Sequence, residues 1–136
     1  CIFPITLFIK DLEKTNGNIL CISSIAGVEY IPAPTAYSVA KSAINTLVKI
    51  LSKKYGNKVR INAIAPGNII FKGNVWDKKI KINKKKVLNY IRNNVPQNRF
   101  GTPQEVADLT IFLSSSKADF ISGEIINIDG GQTSNF

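Results

Sequence analysis

A tyrosine and a lysine four residues apart give this sequence its clearest candidate for proton-transfer chemistry. Tyr37 and Lys41 lie in the stretch 35–55, which contains no glycine or proline and in which apolar residues recur at helical spacing. Residues four apart share one face of a helix, so the two side chains should be neighbours. An ammonium group near a phenol favours the phenolate, which makes the tyrosine usable as an acid or base near neutral pH. Taken alone, the pair also fits an ordinary solvent-exposed helix surface.

Composition excludes several other kinds of catalytic site. The chain has 136 residues, no histidine, and two cysteines, Cys1 and Cys21. Zinc fingers, histidine-based metal sites, Ser-His-Asp and Cys-His nucleophile systems and a disulfide scaffold are therefore excluded, and we expect no metal. With 44% hydrophobic and 20% charged residues, the chain has the composition of one globular domain.

The elements that must position the tyrosine and the lysine alternate between helix and strand. Because this alternation is typical of a parallel sheet, we predict an α/β fold. The active sites of such sheets lie at the carboxyl ends of the strands. Ser24 follows the first predicted strand there, and its hydroxyl could bond a substrate carbonyl or its developing alkoxide. The pattern predicts helices over 2–15, 35–55 and 103–114, and strands over 18–23, 59–64 and 123–131.

Positive charge is concentrated in one segment of the chain. The net charge is +9, and residues 72–92 carry +7 of it, with Asp77 as their only acidic residue. One interpretation is a positive potential that attracts an acidic substrate, such as a phosphopantetheine thioester or another phosphorylated compound. The interpretation that we favour is a solvated, mobile surface segment. A nucleic-acid-binding module is a third interpretation, which we do not favour because only two aromatic residues, Trp76 and Tyr90, lie among the lysines. Trp76 and Phe71 either line an apolar pocket or pack the segment.

Four motifs follow one another along the chain. They are Asn-Ile-Leu-Cys-Ile-Ser-Ser-Ile-Ala-Gly (18–27), Tyr-Ser-Val-Ala-Lys (37–41), Arg-Ile-Asn-Ala-Ile-Ala-Pro-Gly (60–67), and the closing segment 122–131 with Asp-Gly-Gly. Together they resemble the short-chain dehydrogenase/reductase family, and within it the 3-oxoacyl-(acyl-carrier-protein) reductases. The resemblance implies a Rossmann-like, doubly wound parallel sheet. It also implies an NAD- or NADP-dependent oxidoreductase that interconverts an alcohol and a ketone.

The resemblance also implies a Ser-Tyr-Lys catalytic site. Ser24 matches the serine that positions the substrate oxygen, and Tyr37 matches the acid/base that exchanges a proton with it. Lys41 matches the lysine that holds the nicotinamide ribose hydroxyls and favours the phenolate. The neighbouring Ser23 is expected to be only the last residue of the strand.

Cofactor contacts are implied for a further set of residues. Besides Tyr37 and Lys41, the resemblance assigns cofactor contacts to Pro66 and Gly67, which shape a turn beside the nicotinamide, and to the backbone of Ile69. Hydride transfer itself belongs to the cofactor, while the protein supplies orientation and electrostatics.

The glycine-rich turn that binds the dinucleotide pyrophosphate in this family is absent from these residues. We therefore expect residues 1–136 to be the carboxyl-terminal part of one such domain, with 68–100 as its variable substrate loop. This piece alone is expected to be inactive, because the phosphate cradle at a helix N-terminus is missing. The alternative is a truncated, non-catalytic remnant or a half-domain that acts only in assembly.

Expectations about partners follow from the same resemblance. We expect a small-molecule carbonyl or alcohol substrate, no nucleic acid, and a homo-oligomer, either dimer or tetramer, formed through the helices at 2–15 and 35–55. No apolar run reaches the roughly 18 residues that a membrane span needs, and no secretory leader is visible. A cytoplasmic protein without a membrane association is therefore expected.

Overall fold

A computed structural model describes residues 2–134, apart from the side chain of Ile2. Cys1, which entered the argument against a disulfide scaffold, lies outside the described residues. The elements alternate as expected, except that one more helix follows the second strand. In chain order they are α1 (Ile2–Thr15), β1 (Asn18–Ile22), α2 (Thr35–Tyr55), β2 (Arg60–Pro66), α3 (Val75–Asn94), α4 (Pro103–Ser114) and β3 (Ile125–Ile128), with short 3₁₀ turns at Ile25–Gly27 and Ser116–Ala118.

The three strands form one parallel sheet in the order β1-β2-β3. Cys21 of β1 pairs in register with Ala63 of β2, and Ala63 pairs with Ile125 of β3. All three strands therefore end at the same edge of the sheet. In parallel α/β sheets that edge is where ligands bind.

Alternation along the strands divides the apolar side chains between the two faces of the sheet. Ile61 and Ala63 pack with α1 and α2, whereas Ile64 packs with α4. Successive side chains of a strand point to opposite faces, so a sheet covered on both sides needs apolar residues at nearly every position. This requirement explains why the buried strands appear in the sequence as continuous apolar runs. Within residues 2–134, no helix is long and apolar enough to cross a membrane.

Helix α4 begins at the capping box that its sequence predicts. The Thr102 hydroxyl accepts from the backbone N–H of Glu105, and the Glu105 carboxylate accepts from the backbone N–H of Thr102. Arg99 adds a bidentate contact to the same carboxylate, with N–O distances of 2.6 and 3.0 Å. The Arg99 guanidinium, followed by the two Thr102 donors, lowers the pKa of Glu105 to about 2.

This lowered pKa predicts an acid-sensitive helix start. The folded-state value lies below the ordinary 4.5, so the contribution to stability is present above about pH 4.5 and is lost as the pH falls towards about 2. The drop in melting temperature between about pH 5 and about pH 3 should therefore be smaller in Glu105→Gln than in the unchanged protein. Thermal melts followed by circular dichroism would measure it. The matched control is Glu13→Gln on α1, and an equal change in both variants would contradict the prediction.

Helix α3 contains most of the lysine-rich stretch 72–92, for which the sequence predicted no helix. Residues Val75–Asn94 are helical, with one break at Asn83, where φ is −151° and ψ is 83°. The Asn74 side chain caps the first turn by accepting from the backbone N–H of Asp77, and the Asn83 side chain accepts from the N–H of Lys86. Val87, Ile91 and other apolar residues of α3 form a separate small core with Phe100. The segment is therefore a packed, broken helix with a lysine-rich outer surface.

Candidate active site

Ser24, Tyr37 and Gly67 line one cleft of 740 Å³ at the carboxyl edge of the sheet. They come from three different segments, which follow β1, begin α2 and follow β2. Helix α3 forms the opposite wall with Trp76 and Tyr90. The volume lies in the range of small-molecule sites, about 300–1,000 Å³. The fold thus brings together Ser24 and Tyr90, which are 66 positions apart in the sequence.

Ser24 is held by the first turn after β1. Its Oγ accepts a hydrogen bond of 3.2 Å from the backbone N–H of Ala26, which caps the 3₁₀ turn. The side chain is only 8% exposed. Since the oxygen accepts from Ala26, the hydroxyl hydrogen remains available to donate to a substrate oxygen in the cleft. Gly27 lets this turn approach α2 closely, because a Cβ there would lie 2.5 Å from the backbone carbon of Lys41.

Tyr37 and Lys41 are neighbours on α2, as their spacing predicts. The Lys41 Nζ lies 5.6 Å from the centroid of the Tyr37 ring and donates a 2.9 Å hydrogen bond to the backbone oxygen of Ile22. Ile22 is the last residue of β1. The end of the strand therefore positions the ammonium group beside the phenol. Tyr37 is 45% exposed and lines the cleft, whereas Lys41 does not line it.

Ser23 performs a different task from Ser24. Its hydroxyl lies 2.6 Å from Oδ1 of Asn45, and the Asn45 amide donates to the backbone oxygen of Gly27 at 2.9 Å. The Ser23–Asn45 pair thereby ties the end of β1 and the following turn to α2. Ser23 is buried and does not line the cleft. Its contacts are those of a residue that fixes the position of Ser24 and Lys41.

Of the three residues predicted to form the turn beside the nicotinamide, Gly67 and Ile69 line two different pockets and Pro66 lines neither of them. Gly67 lines the cleft, and it must be small because a Cβ there would lie 2.7 Å from Cβ of Asp129. Pro66 is the last residue of β2, opposite Ile128. Ile69 lines a separate pocket of 300 Å³ and forms a backbone bridge to Gly101. The structure therefore places Gly67 with Ser24 and Tyr37, and Ile69 on the far side of the turn.

A polar network under α3 escaped the sequence analysis. Asn68 accepts from the indole N–H of Trp76 at 3.1 Å and donates to Gln132 at 2.9 Å and to the Tyr90 hydroxyl at 3.2 Å. Trp76 also packs against the Tyr90 and Phe100 rings, with centroids 5.0 and 4.5 Å away. Trp76 therefore both lines the cleft and packs α3. The position of Asn68, directly after the Pro-Gly turn at the strand end, is the signal that could have identified it.

Phe71, the other aromatic residue considered at the start of this segment, is exposed and does not line the cleft. In the part of the chain from 2 to 134, no three residues among the Cys, Asp and Glu side chains are grouped so that they could hold a metal ion. Hydroxyl, phenol, amide and ammonium groups line the cleft.

Comparison with known proteins identifies the family. A family model described as enoyl-(acyl carrier protein) reductase matches residues 3–133. The 3-oxoacyl-(acyl-carrier-protein) reductase of Chlamydia muridarum is 38% identical over 121 residues, which cover 88% of this chain and 46% of that protein. The chain belongs to the short-chain dehydrogenase/reductase family. It spans about half the length of the curated relatives that it matches.

Solved structures of other members of this family share the fold. A short-chain oxidoreductase from Pseudomonas aeruginosa with bound NADPH gives a TM-score of 0.87 at 25% identity, covering 99% of this chain and 53% of that one. A 4-hydroxyisoleucine dehydrogenase mutant complexed with NADH and succinate gives 0.86 at 28% identity, covering 98% and 55%. The predicted Rossmann-like α/β fold is therefore confirmed. The chain belongs to a family of oxidoreductases, and both of these structural neighbours contain a bound nicotinamide cofactor.

Proposed function

We propose that the protein containing this chain is an NAD(P)-dependent oxidoreductase that interconverts an alcohol and a ketone with Ser24, Tyr37 and Lys41 as its catalytic residues. The observation that carries the proposal is the shared cleft. A donating hydroxyl and a phenol line it together, and an ammonium group lies 5.6 Å from the phenol ring. Family membership supports the reaction type, because the relatives are oxidoreductases.

In the direction of ketone reduction, each residue acts on the substrate oxygen or on its neighbour. Ser24 donates a hydrogen bond to the carbonyl oxygen and stabilises the alkoxide that develops there. Tyr37 delivers the proton from its hydroxyl to the same oxygen, and takes it back when an alcohol is oxidised. Lys41 favours the phenolate that remains after proton delivery. Ser23 and Asn45 hold the segments that carry these groups.

The residues at this edge of the sheet fit the nicotinamide end of a dinucleotide. Lys41 has three N–H donors and spends one of them on the Ile22 carbonyl, so two remain for ribose hydroxyls. Gly67 and Pro66 provide a compact turn next to the cleft. When bound, the nicotinamide supplies the hydride that reduces the carbonyl carbon. The NADPH and NADH complexes of the structural neighbours support this class of cofactor.

The pyrophosphate end has no counterpart among the described residues. The first turn of α3 is occupied by the Asn74 side chain, and the first turn of α4 is occupied by its own capping box. A glycine-rich helix start is likewise absent from residues 2–134. We therefore propose that residues 1–136 are the carboxyl-terminal part of a longer reductase domain, with 68–100 as its substrate-binding segment, and that they are inactive alone.

Two further properties belong to the same proposal. The whole protein is a cytoplasmic homo-oligomer, either a dimer or a tetramer, that associates through α1 and α2. The apolar surface of these two helices supports the proposed association. Phe3, Leu7 and Phe8 of α1 and Val39 and Ile50 of α2 are exposed.

The function is tested by Ser24→Ala in the intact protein. The change removes the hydroxyl that donates to the substrate oxygen, so kcat should fall about 10²-fold in NAD(P)H-dependent ketone reduction, measured as loss of nicotinamide absorbance. The matched control is Ser38→Ala, because Ser38 lies on α2 outside the cleft. Equal rates for Ser24→Ala and the unchanged protein, with both folded, would contradict the assignment of Ser24.

A further inference from the structure

Two lysines of α3 face the cleft that holds the catalytic tyrosine. Of the eight cationic side chains between 72 and 92, only Lys79 and Lys86 line it. No aspartate or glutamate within the described range 2–134 lines it. We interpreted the charge excess of residues 72–92 as a solvated surface. Two of its lysines nevertheless face the cleft in which a substrate would bind.

Neither lysine is neutralised by its surroundings. Among the ion pairs of the described residues, Asp77 on the same helix pairs with Lys81 at 2.8 Å, and neither Lys79 nor Lys86 takes part in any. The Lys79 ammonium lies 4.5 Å from the centroid of the Trp76 ring, a cation–π contact that keeps its positive charge. Both ammonium groups thus keep their charge available to a ligand.

The break in α3 lies between these two lysines and contributes to the same wall. Asn83, the residue with non-helical backbone angles, lines the cleft, and its side chain caps the second half of the helix at Lys86. Ile82 beside it also lines the cleft and is 85% exposed. This wall therefore combines an open apolar surface with two cations.

We propose that the substrate is an amphiphilic anion, whose carboxylate or phosphate group binds between Lys79 and Lys86 while its carbonyl lies at Tyr37 and Ser24. The proposal rests on the proposed function for the position of the carbonyl. Apolar atoms of the substrate contact Ile82 and Val75 between these two ends. The binding of the anion itself is independent of catalysis and is measured separately.

The test uses two pairs of ketones that differ in charge but carry the same reacting group. Acetoacetate is compared with methyl acetoacetate, and acetoacetyl-coenzyme A with S-acetoacetyl-N-acetylcysteamine. The first pair tests whether the protein recognises a carboxylate, and the second pair tests whether it recognises a phosphate-bearing arm. In the intact protein, kcat/KM should favour the anionic member of at least one pair, and added salt should reduce the preference because exposed charges are screened.

Charge removal at the two cleft lysines should abolish that preference. The double variant Lys79→Gln/Lys86→Gln is expected to lower kcat/KM for the preferred anion about tenfold and to leave its neutral partner unchanged. Lys78→Gln/Lys85→Gln removes the same charge one residue away, outside the cleft, and should have little effect. Lys79→Arg/Lys86→Arg should retain the preference. Equal losses in the two glutamine variants, or no preference in either pair, would overturn the proposal.

Binding measured without turnover separates this proposal from the proposed function. Calorimetric titration of the intact protein with each ketone should show tighter binding of the anion, and this difference should disappear in Lys79→Gln/Lys86→Gln. That result without any turnover would support the anion site and contradict the reductase function. Turnover of all four ketones at rates that the cleft lysines do not affect would support the function and contradict the anion site.

Discussion

Replacement of Tyr37 by phenylalanine is expected to reduce turnover of the intact protein about 10³-fold or more. The phenol is the proposed proton donor, and general acid–base catalysis contributes about 10²–10⁴-fold in enzymes. The chain contains no histidine that could replace it. Tyr37 is 45% exposed, so the loss of one hydroxyl should leave the packing of α2 intact. Steady-state NAD(P)H oxidation with a ketone substrate measures the effect, and circular dichroism checks the fold.

Tyr30→Phe is the matched control for this prediction. Tyr30 is 91% exposed on the loop before α2 and does not line the cleft with Ser24 and Tyr37. The same chemical change there should leave turnover within about twofold of the unchanged protein. If Tyr37→Phe behaved like Tyr30→Phe, the proton would come from another group. A non-catalytic protein, the alternative considered at the outset, would show no turnover in any of these variants.

The parts of the fold that depend on local sequence could be predicted from it. Helix α2 occupies the stretch that lacks glycine and proline, and α4 begins at the Thr102–Glu105 capping box. The strands follow the short apolar runs, because a sheet covered on both faces requires them. The shared face of Tyr37 and Lys41 follows from helical geometry alone.

Helix α3 carried a signal that the lysines obscured. Trp76, Ile80, Val87 and Ile91 recur at spacings of four, seven and four, and no glycine or proline interrupts Val75–Asn94. Near the middle of the helix the spacing calls for an apolar residue, but the sequence has polar residues there. The helix breaks at this point, at Asn83. The spacing of the apolar residues therefore predicts a helix with one break. The density of charged residues, taken alone, indicates a solvated segment instead.

Contacts between distant segments could not be predicted from the sequence. Asn68 meets Gln132, 64 residues away, because the turn after β2 and the loop after β3 lie side by side. The difference between Lys79 and its neighbour Lys78 depends on which side of α3 faces the cleft. Such facts arise from the packing of complete elements, and no local propensity encodes them.

Replacement of Lys41 by methionine should affect both the cofactor and the proton transfer. Methionine retains most of the side-chain volume but removes the charge and all three donors. We expect about a 10³-fold loss of turnover, together with weaker binding of NAD(P)H measured by nicotinamide fluorescence.

The combined readout distinguishes this dual role from a structural one. Lys41 donates to the carbonyl of Ile22, and a hydrogen bond from a charged donor contributes about 1.5–3 kcal/mol to stability. A purely structural role would therefore lower the melting temperature and leave the cofactor affinity of the folded protein unchanged. Lys49→Met is the matched control, because Lys49 lies on α2 in an exposed ion pair with Glu124. An unchanged cofactor affinity and an unchanged turnover in folded Lys41→Met would show that the 5.6 Å approach of ammonium and ring has no catalytic consequence.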